Sequence, residues 1–133
     1  MSPLFLDIDM VMRTHLSLID RYGGQAGLRE AGLLQSAIAM PQASFGGDLL
    51  HKDLFEMAAA YLYHIAHNHP FLDGSNRTGA AAAIIFLDLN DIELEADEDG
   101  LVDLTIRVAT GSADKPEIGG FFRRLTRLPG SHA

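Results

Sequence analysis

The stretch His69-Pro-Phe-Leu-Asp-Gly-Ser-Asn-Arg77 places an imidazole, a carboxylate, small residues and a guanidinium within nine residues. Pro70 cannot continue a helix and disfavours helical geometry at His69, so a loop is predicted to begin there. Helical patterning resumes at Asn76 or Thr78. Phosphoryl and nucleotidyl transfer depend mainly on positioning and charge stabilisation, and this stretch offers groups for both.

The start of the helix after this loop is a candidate anion site. Unpaired N–H groups point outward at a helix N-terminus, and the helix dipole favours negative charge there. Gly74, Ser75 and Asn76 occupy the bend, where small residues let phosphate oxygens approach the backbone. Arg77, in the first turn, could offer forked donors to a terminal phosphate. These four residues are predicted to bind a phosphate-bearing ligand.

Asp73 and His69 each have alternative roles. Asp73 could cap the helix, pair with Arg77, or hold Mg²⁺ through its carboxylate oxygens. His69 could be a hydrogen-bonded core histidine, but its loop position favours a general base that takes a proton from an attacking hydroxyl. Phe71 is most simply interpreted as an apolar anchor of the loop.

A histidine metal site is a competing hypothesis. His64 and His67 lie about one turn apart on the preceding predicted helix, and His69 follows closely. However, the HExxH pattern is absent, and catalytic zinc needs three well-placed ligands with an open position. A zinc site is therefore disfavoured.

The rest of the sequence predicts an all-α fold. The run from Ala80 to Leu87 is apolar nearly all round, which is typical of a helix at the centre of a bundle. Residues 92–95 alternate like a short strand, so at most a minor β flap is expected. We expect a compact bundle of about six helices around one buried central helix. The predicted helices span residues 7 or 9–23, 28–40, 51–67, 76 or 78–89, 97–111 and 115–128, and 42–50 reads as a loop.

Composition bounds the class of protein. A length of 133 residues predicts a single domain over residues 1–133. The 18 acidic residues against 10 basic ones, a net charge of -8, argue against direct nucleic-acid binding. Cysteine is absent, and the sequence shows neither a signal peptide nor an apolar run of membrane-spanning length. We therefore expect a cytoplasmic protein without a membrane partner.

The loop and its flanks resemble the Fic/Doc family, and within it the death-on-curing (Doc) toxins. The family's loop reads His-x-Phe-x-Asp/Glu-Gly/Ala-Asn-Gly/Lys-Arg. This sequence matches it in register at His69, Phe71, Asp73, Gly74 and Arg77. Doc-like segments along most of the chain are Arg21-Tyr22-Gly23-Gly24, Gly32-Leu33-Leu34, Pro41-Gln42-Ala43, Phe45-Gly46-Gly47, Asp53-Leu54-Phe55-Glu56 and Ala58-Ala59-Ala60-Tyr61.

The resemblance implies a six-helix fold whose loop binds ATP with Mg²⁺ and transfers part of the nucleotide to a protein hydroxyl. Fic members mostly transfer AMP. Doc members instead phosphorylate a threonine of translation elongation factor Tu and arrest translation. By this resemblance, His69 would be the base and Asp73 the Mg²⁺ ligand. The implied nucleotide contacts are Gly74, Ser75, Asn76 and Arg77.

Two positions depart from the family pattern. Ser75 stands where the family has asparagine, and Asn76 stands where Doc members have lysine and Fic members glycine. Loss of one oriented donor at a transfer site typically costs on the order of a hundredfold or more in rate. The sequence thus allows an active toxin kinase or an attenuated or inactive binding protein with the same fold. AMP transfer is a lesser alternative, because Ala80 stands where AMP transferases tend to have a second arginine.

The resemblance also implies a small Phd-like antitoxin as partner, whose disordered tail folds into a groove on the toxin. Some Fic relatives instead carry an internal inhibitory helix with Ser or Thr four residues before Glu. No Ser or Thr of this sequence has that spacing, so inhibition in trans is expected. We hypothesise that residues 32–40 and the side chains of Phe121, Phe122 and Leu125 help form the groove, although core packing is the favoured use of both.

Overall fold

The computed structural model describes residues 2–126, and every structural statement below refers to that part of the chain. Helices make up most of it, with one short hairpin that pairs Ser44 with Leu49 and Phe45 with Asp48. The elements are α1 (Ile8–Tyr22), α2 (Ala31–Ala39), a 3₁₀ turn (Met40–Gln42), β1 (Ser44–Phe45), β2 (Asp48–Leu49), α3 (Leu54–Asn68), α4 (Ser75–Leu89), α5 (Glu98–Ala109) and α6 (Lys115–Leu125). The predicted all-α bundle with a minor β flap is confirmed.

Aspartates define the starts of four helices. In each case the carboxylate accepts a hydrogen bond from the backbone N–H three residues later, which satisfies a donor that the helix leaves unpaired. These N-caps are Asp7, Asp53, Asp97 and Asp114. The helix after the motif loop differs, since α4 begins at Ser75 behind Gly74 and no side chain caps it. It therefore begins earlier than the predicted start at Asn76 or Thr78.

The central helix of the bundle is α3. It packs against α2, the 3₁₀ turn, α4, α5 and α6, whereas α4 packs against α1, α3 and α5. The apolar run of α4 predicts that this helix lies at the centre of the bundle, which differs from the observed packing. Its small residues instead let it lie close against α3: a Cβ added at Gly79 would come within 3.1 Å of the Leu62 carbonyl oxygen.

The strands do not lie at residues 92–95, where the alternation of apolar and polar residues predicts one. Of residues 92–95, Leu94 forms only an isolated bridge with Thr126. The hairpin lies within residues 42–50, for which the sequence predicts a loop, and its Phe45 is 87% exposed.

Core packing, the favoured use of the two aromatic residues of α6, is confirmed, and the hypothesis that they help form an antitoxin groove is wrong. Phe122 is fully buried and Phe121 nearly so, and both belong to the hydrophobic core. Leu125 packs against that core as the last residue of α6. The helix ends at Leu125 and the Thr126 backbone is extended, so it stops short of the predicted end at residue 128, a position outside the described residues.

Within residues 2–126, no helix combines the length and the apolar character that crossing a bilayer would require.

Candidate active site

The motif loop is fastened to the segment before α2. Leu28 and Phe71 form an antiparallel bridge, and the Leu72 N–H donates to the Gly27 carbonyl at 3.0 Å. The backbone N–H of Arg29 donates to the Pro70 carbonyl at 2.7 Å. The loop therefore has a fixed backbone on one side.

Arg29 also holds the end of α3. Its Nε donates to the His69 carbonyl and its Nη2 to the Asn68 carbonyl, both at 2.8 Å. These carbonyl oxygens have no N–H donor from a following helical turn because the helix ends there. No local pattern predicts this role, since Arg29 lies about forty residues from the carbonyls it binds.

His69 is exposed at the junction of α3 and the loop. Its backbone is left-handed, with φ 47° and ψ 57°, an uncommon conformation for a residue with a side chain. Such conformations cost free energy and occur preferentially at functional sites. The predicted loop start at His69 is confirmed, and its imidazole faces solvent rather than the core.

Phe71 anchors the floor of the loop. It is 2% exposed, and its ring stacks on that of His15 with centroids 3.8 Å apart and planes at 11°. The Ser75 hydroxyl accepts a hydrogen bond from the Phe71 N–H at 3.1 Å. This hydrogen bond links the two ends of the loop, and the Ser75 side chain that accepts it is buried.

His15 supports the same floor from α1. It is fully buried, and its Nδ1 lies 3.3 Å from Thr78 Oγ1, while its Nε2 has no hydrogen-bond partner within residues 2–126. Burial lowers the pKa of His15, and the charge of Asp73 partly opposes that shift. A neutral imidazole therefore packs under the loop. No motif in the sequence singles out His15.

The N-terminus of α4 is open. Gly74 has φ 77°, and the backbone N–H groups of Ser75, Asn76 and Arg77 have no acceptor in the part of the chain that the structure describes. Asn76 Oδ1 is buried there without a hydrogen-bond partner. Unpaired donors at the positive end of a helix dipole form an anion-binding arrangement.

Asp73 neither caps α4 nor pairs with Arg77. Its Oδ2 accepts a hydrogen bond from the Gln25 N–H at 2.8 Å, and among residues 2–126 its Oδ1 has no such partner. A Cβ added at Gly24 would lie 3.3 Å from the Cβ of Asp73, so the turn after α1 lies close to the Asp73 side chain.

One cleft of about 1080 Å³ unites the predicted site residues. Its volume is at the upper end of that of small-molecule and cofactor sites. The motif supplies one wall, through His69, Asp73, Gly74, Ser75, Asn76 and Arg77. The α5 helix supplies a second, mostly apolar wall with Glu98, Leu101, Val102, Thr105 and Ile106.

The histidines on α3 are engaged elsewhere. His64 Nε2 lies 3.1 Å from Lys115 Nζ, and the His67 ring stacks on Tyr63 at 5.5 Å. Burial and the nearby Lys115 lower the pKa of His64 to about 4. No group of three or more metal-ligating side chains gathers within residues 2–126.

Sequence comparison defines the class of this protein. The model of the Fic/DOC family matches residues 5–87, which contain the whole loop and most of α4. The chain belongs to the Fic/DOC family.

Two curated relatives extend the match beyond the loop. The chain is 41% identical over 106 residues to "Toxin Doc" of Mycolicibacterium smegmatis, covering 75% of this chain and 82% of that protein. It is 35% identical over 111 residues to "Protein kinase doc" of Escherichia phage P1, covering 84% and 86% respectively.

Proposed function

We propose that this protein is the toxin of a toxin–antitoxin pair and acts in the cytoplasm as an ATP-dependent protein kinase. The observation that carries the proposal is the single cleft in which an exposed histidine, a carboxylate and an uncapped helix N-terminus meet. The names of the two relatives, a toxin and a protein kinase, support it. From the family resemblance, we take a threonine of elongation factor Tu as the acceptor and translation arrest as the result.

The residues around Asp73 fit Mg²⁺. The carboxylate is exposed, and its Oδ1 has no hydrogen-bond partner among the described residues. Magnesium prefers oxygen ligands and is commonly held by one or two carboxylates together with waters and substrate phosphates. Asp73 would hold the ion, which when bound would neutralise charge on the phosphate oxygens.

The N-terminus of α4 would bind the phosphates of ATP. The free N–H groups of Ser75, Asn76 and Arg77 and the small Gly74 allow close approach of anionic oxygens. The Arg77 guanidinium adds a charge that cannot be lost by deprotonation. Oriented donors of this kind stabilise charge that develops during phosphoryl transfer.

His69 would act as the general base. Its imidazole takes the proton of the threonine hydroxyl while that oxygen forms a bond to the γ-phosphorus. The bond from the γ-phosphorus to the bridging β–γ oxygen breaks, and ADP leaves with the electron pair. The products are phosphothreonine, ADP and the proton first held by the histidine.

The serine that replaces the family's asparagine favours activity over attenuation. Its hydroxyl bonds the Phe71 N–H, so the loop is fixed without an amide at this position. Because Asn76 replaces the lysine of Doc members, the site lacks one positive charge near the phosphates. We therefore expect a functional kinase that gains activity from Asn76→Lys.

Labelled ATP tests the proposed reaction. Purified elongation factor Tu is incubated with this protein, Mg²⁺ and ATP labelled in either the α- or the γ-phosphate. We expect γ-label on the factor and no α-label. Transfer of α-label would establish AMP transfer instead, and absence of both labels, also after Ser75→Asn with Asn76→Lys, would establish a binding protein without transferase activity.

The proposed partner is a small Phd-like antitoxin supplied in trans. The product of the neighbouring open reading frame is expected to form a complex with this protein and to suppress γ-label transfer. Size-exclusion chromatography of the mixed proteins, followed by the labelling assay, checks both effects. Two separate elution peaks would contradict the pairing.

A further inference from the structure

Arg77 rests on an aromatic ring rather than on a carboxylate. Its Cζ lies 4.4 Å from the ring centroid of Tyr22, the last residue of α1. Within residues 2–126 it forms no ion pair, although Asp73 lies in the same loop. Tyr22 is 57% exposed, and both side chains line the cleft.

This contact leaves the arginine's binding capacity intact. A guanidinium stacks through its flat face, whereas its five N–H donors lie in the plane. An ion pair with a carboxylate would use two of these donors and cancel the positive charge. The ring therefore restrains the side chain while the donors and the charge stay available to a phosphate.

The end of α1 and the turn after it contact both the cation and the carboxylate. Gly23 N–H donates to the Ile19 carbonyl at 2.7 Å, which fixes the helix end that carries Tyr22. Two residues on, the Gln25 N–H binds Asp73 at 2.8 Å. One short segment thus contacts Arg77 through a ring and Asp73 through a backbone donor.

We propose that Tyr22 is a positioning residue that holds the Arg77 guanidinium at the open N-terminus of α4 for binding of nucleotide phosphates. The inference rests on the proposed ATP site and adds a residue outside the motif loop. At a partly exposed site a cation–π contact corresponds to about a two- to fivefold change in a dissociation constant.

The test measures Mg²⁺–ATP binding by calorimetry, which does not depend on transfer. We expect Tyr22→Leu to raise the dissociation constant by about two- to fivefold. Tyr22→Phe keeps the ring and should bind as the unmodified protein does. Phe45→Leu, an equivalent change on the exposed hairpin and away from the cleft, serves as the matched control.

A double-mutant cycle with Arg77→Ala decides whether the ring acts through the guanidinium. We expect Tyr22→Leu to have no further effect once Arg77 is removed. An equal effect of Tyr22→Leu in both backgrounds, or no effect in either, would overturn the inference. Absence of γ-label transfer would contradict the proposed kinase function alone, because the binding cycle is read independently of it.

Discussion

At the scale of single residues, the short distance between Gly24 and Asp73 leads to a testable prediction. An alanine Cβ there would lie 3.2 Å from Ile19 Cδ1 and 3.3 Å from the Asp73 Cβ, so Gly24→Ala should displace the carboxylate. Gly23→Ala is the matched control: it also has positive φ, but its Cβ would meet nothing within 4 Å. Both changes should lower the melting temperature through backbone strain. Only Gly24→Ala should also strongly reduce γ-label transfer, and equal losses would contradict the role given to Asp73.

The residues of the loop could be predicted, but their supports could not. His69, Asp73 and Arg77 are close in sequence, and their chemistry is readable from side-chain type and spacing. The supports come from distant segments: Arg29 binds a carbonyl 40 residues away, and Gln25 binds a carboxylate 48 residues away. Such contacts depend on how helices pack, and no local pattern encodes that.

At the scale of the helix, the open N-terminus of α4 gives Asn76 a testable role. Its Oδ1 is buried without a partner, which is unfavourable in the unliganded protein. Asn76→Ala should therefore keep or slightly raise the melting temperature without ligand, because alanine also favours helix more than asparagine. The same change should reduce the rise in melting temperature that Mg²⁺–ATP produces.

Ser75→Ala is the neighbouring comparison for that experiment. It removes the acceptor of the buried Phe71 N–H and should destabilise the unliganded protein by about 1–3 kcal/mol. Chemical denaturation measures the free energy of unfolding of both variants. If Asn76→Ala destabilises the protein as much as Ser75→Ala does, the Asn76 amide stabilises the fold and is not held free for a ligand.

Helix positions followed from local chemistry, whereas their arrangement did not. Apolar spacing predicted most helices within a few residues of their observed bounds. The apolar run of α4 predicted the wrong central helix, because small residues such as Gly79 serve close packing against α3. The hairpin around Phe45 lacks a buried face, so hydrophobic alternation could not identify it.

At the scale of the whole molecule, three buried or partly buried histidines predict acid sensitivity. Burial lowers the pKa of His15, His51 and His64, the last to about 4, whereas an unfolded chain has its histidines near 6.5. Below that value the unfolded state binds more protons than the folded state, so the free energy of unfolding should fall as the pH drops from about 6.5 toward 4. Denaturation at pH 7 and pH 5 measures this, and His64→Gln should lessen the difference. Equal or greater stability at pH 5 would contradict it.

The central claim is that the loop after α3 is a phosphoryl-transfer site in which His69 takes the proton. The most direct measurement is the rate of γ-label transfer to elongation factor Tu by His69→Ala, beside His67→Ala as an exposed histidine on the same helix end. The account predicts a loss of about a hundred- to ten-thousandfold for His69→Ala with Mg²⁺–ATP binding retained, and little change for His67→Ala. Transfer at the unmodified rate by His69→Ala would contradict it.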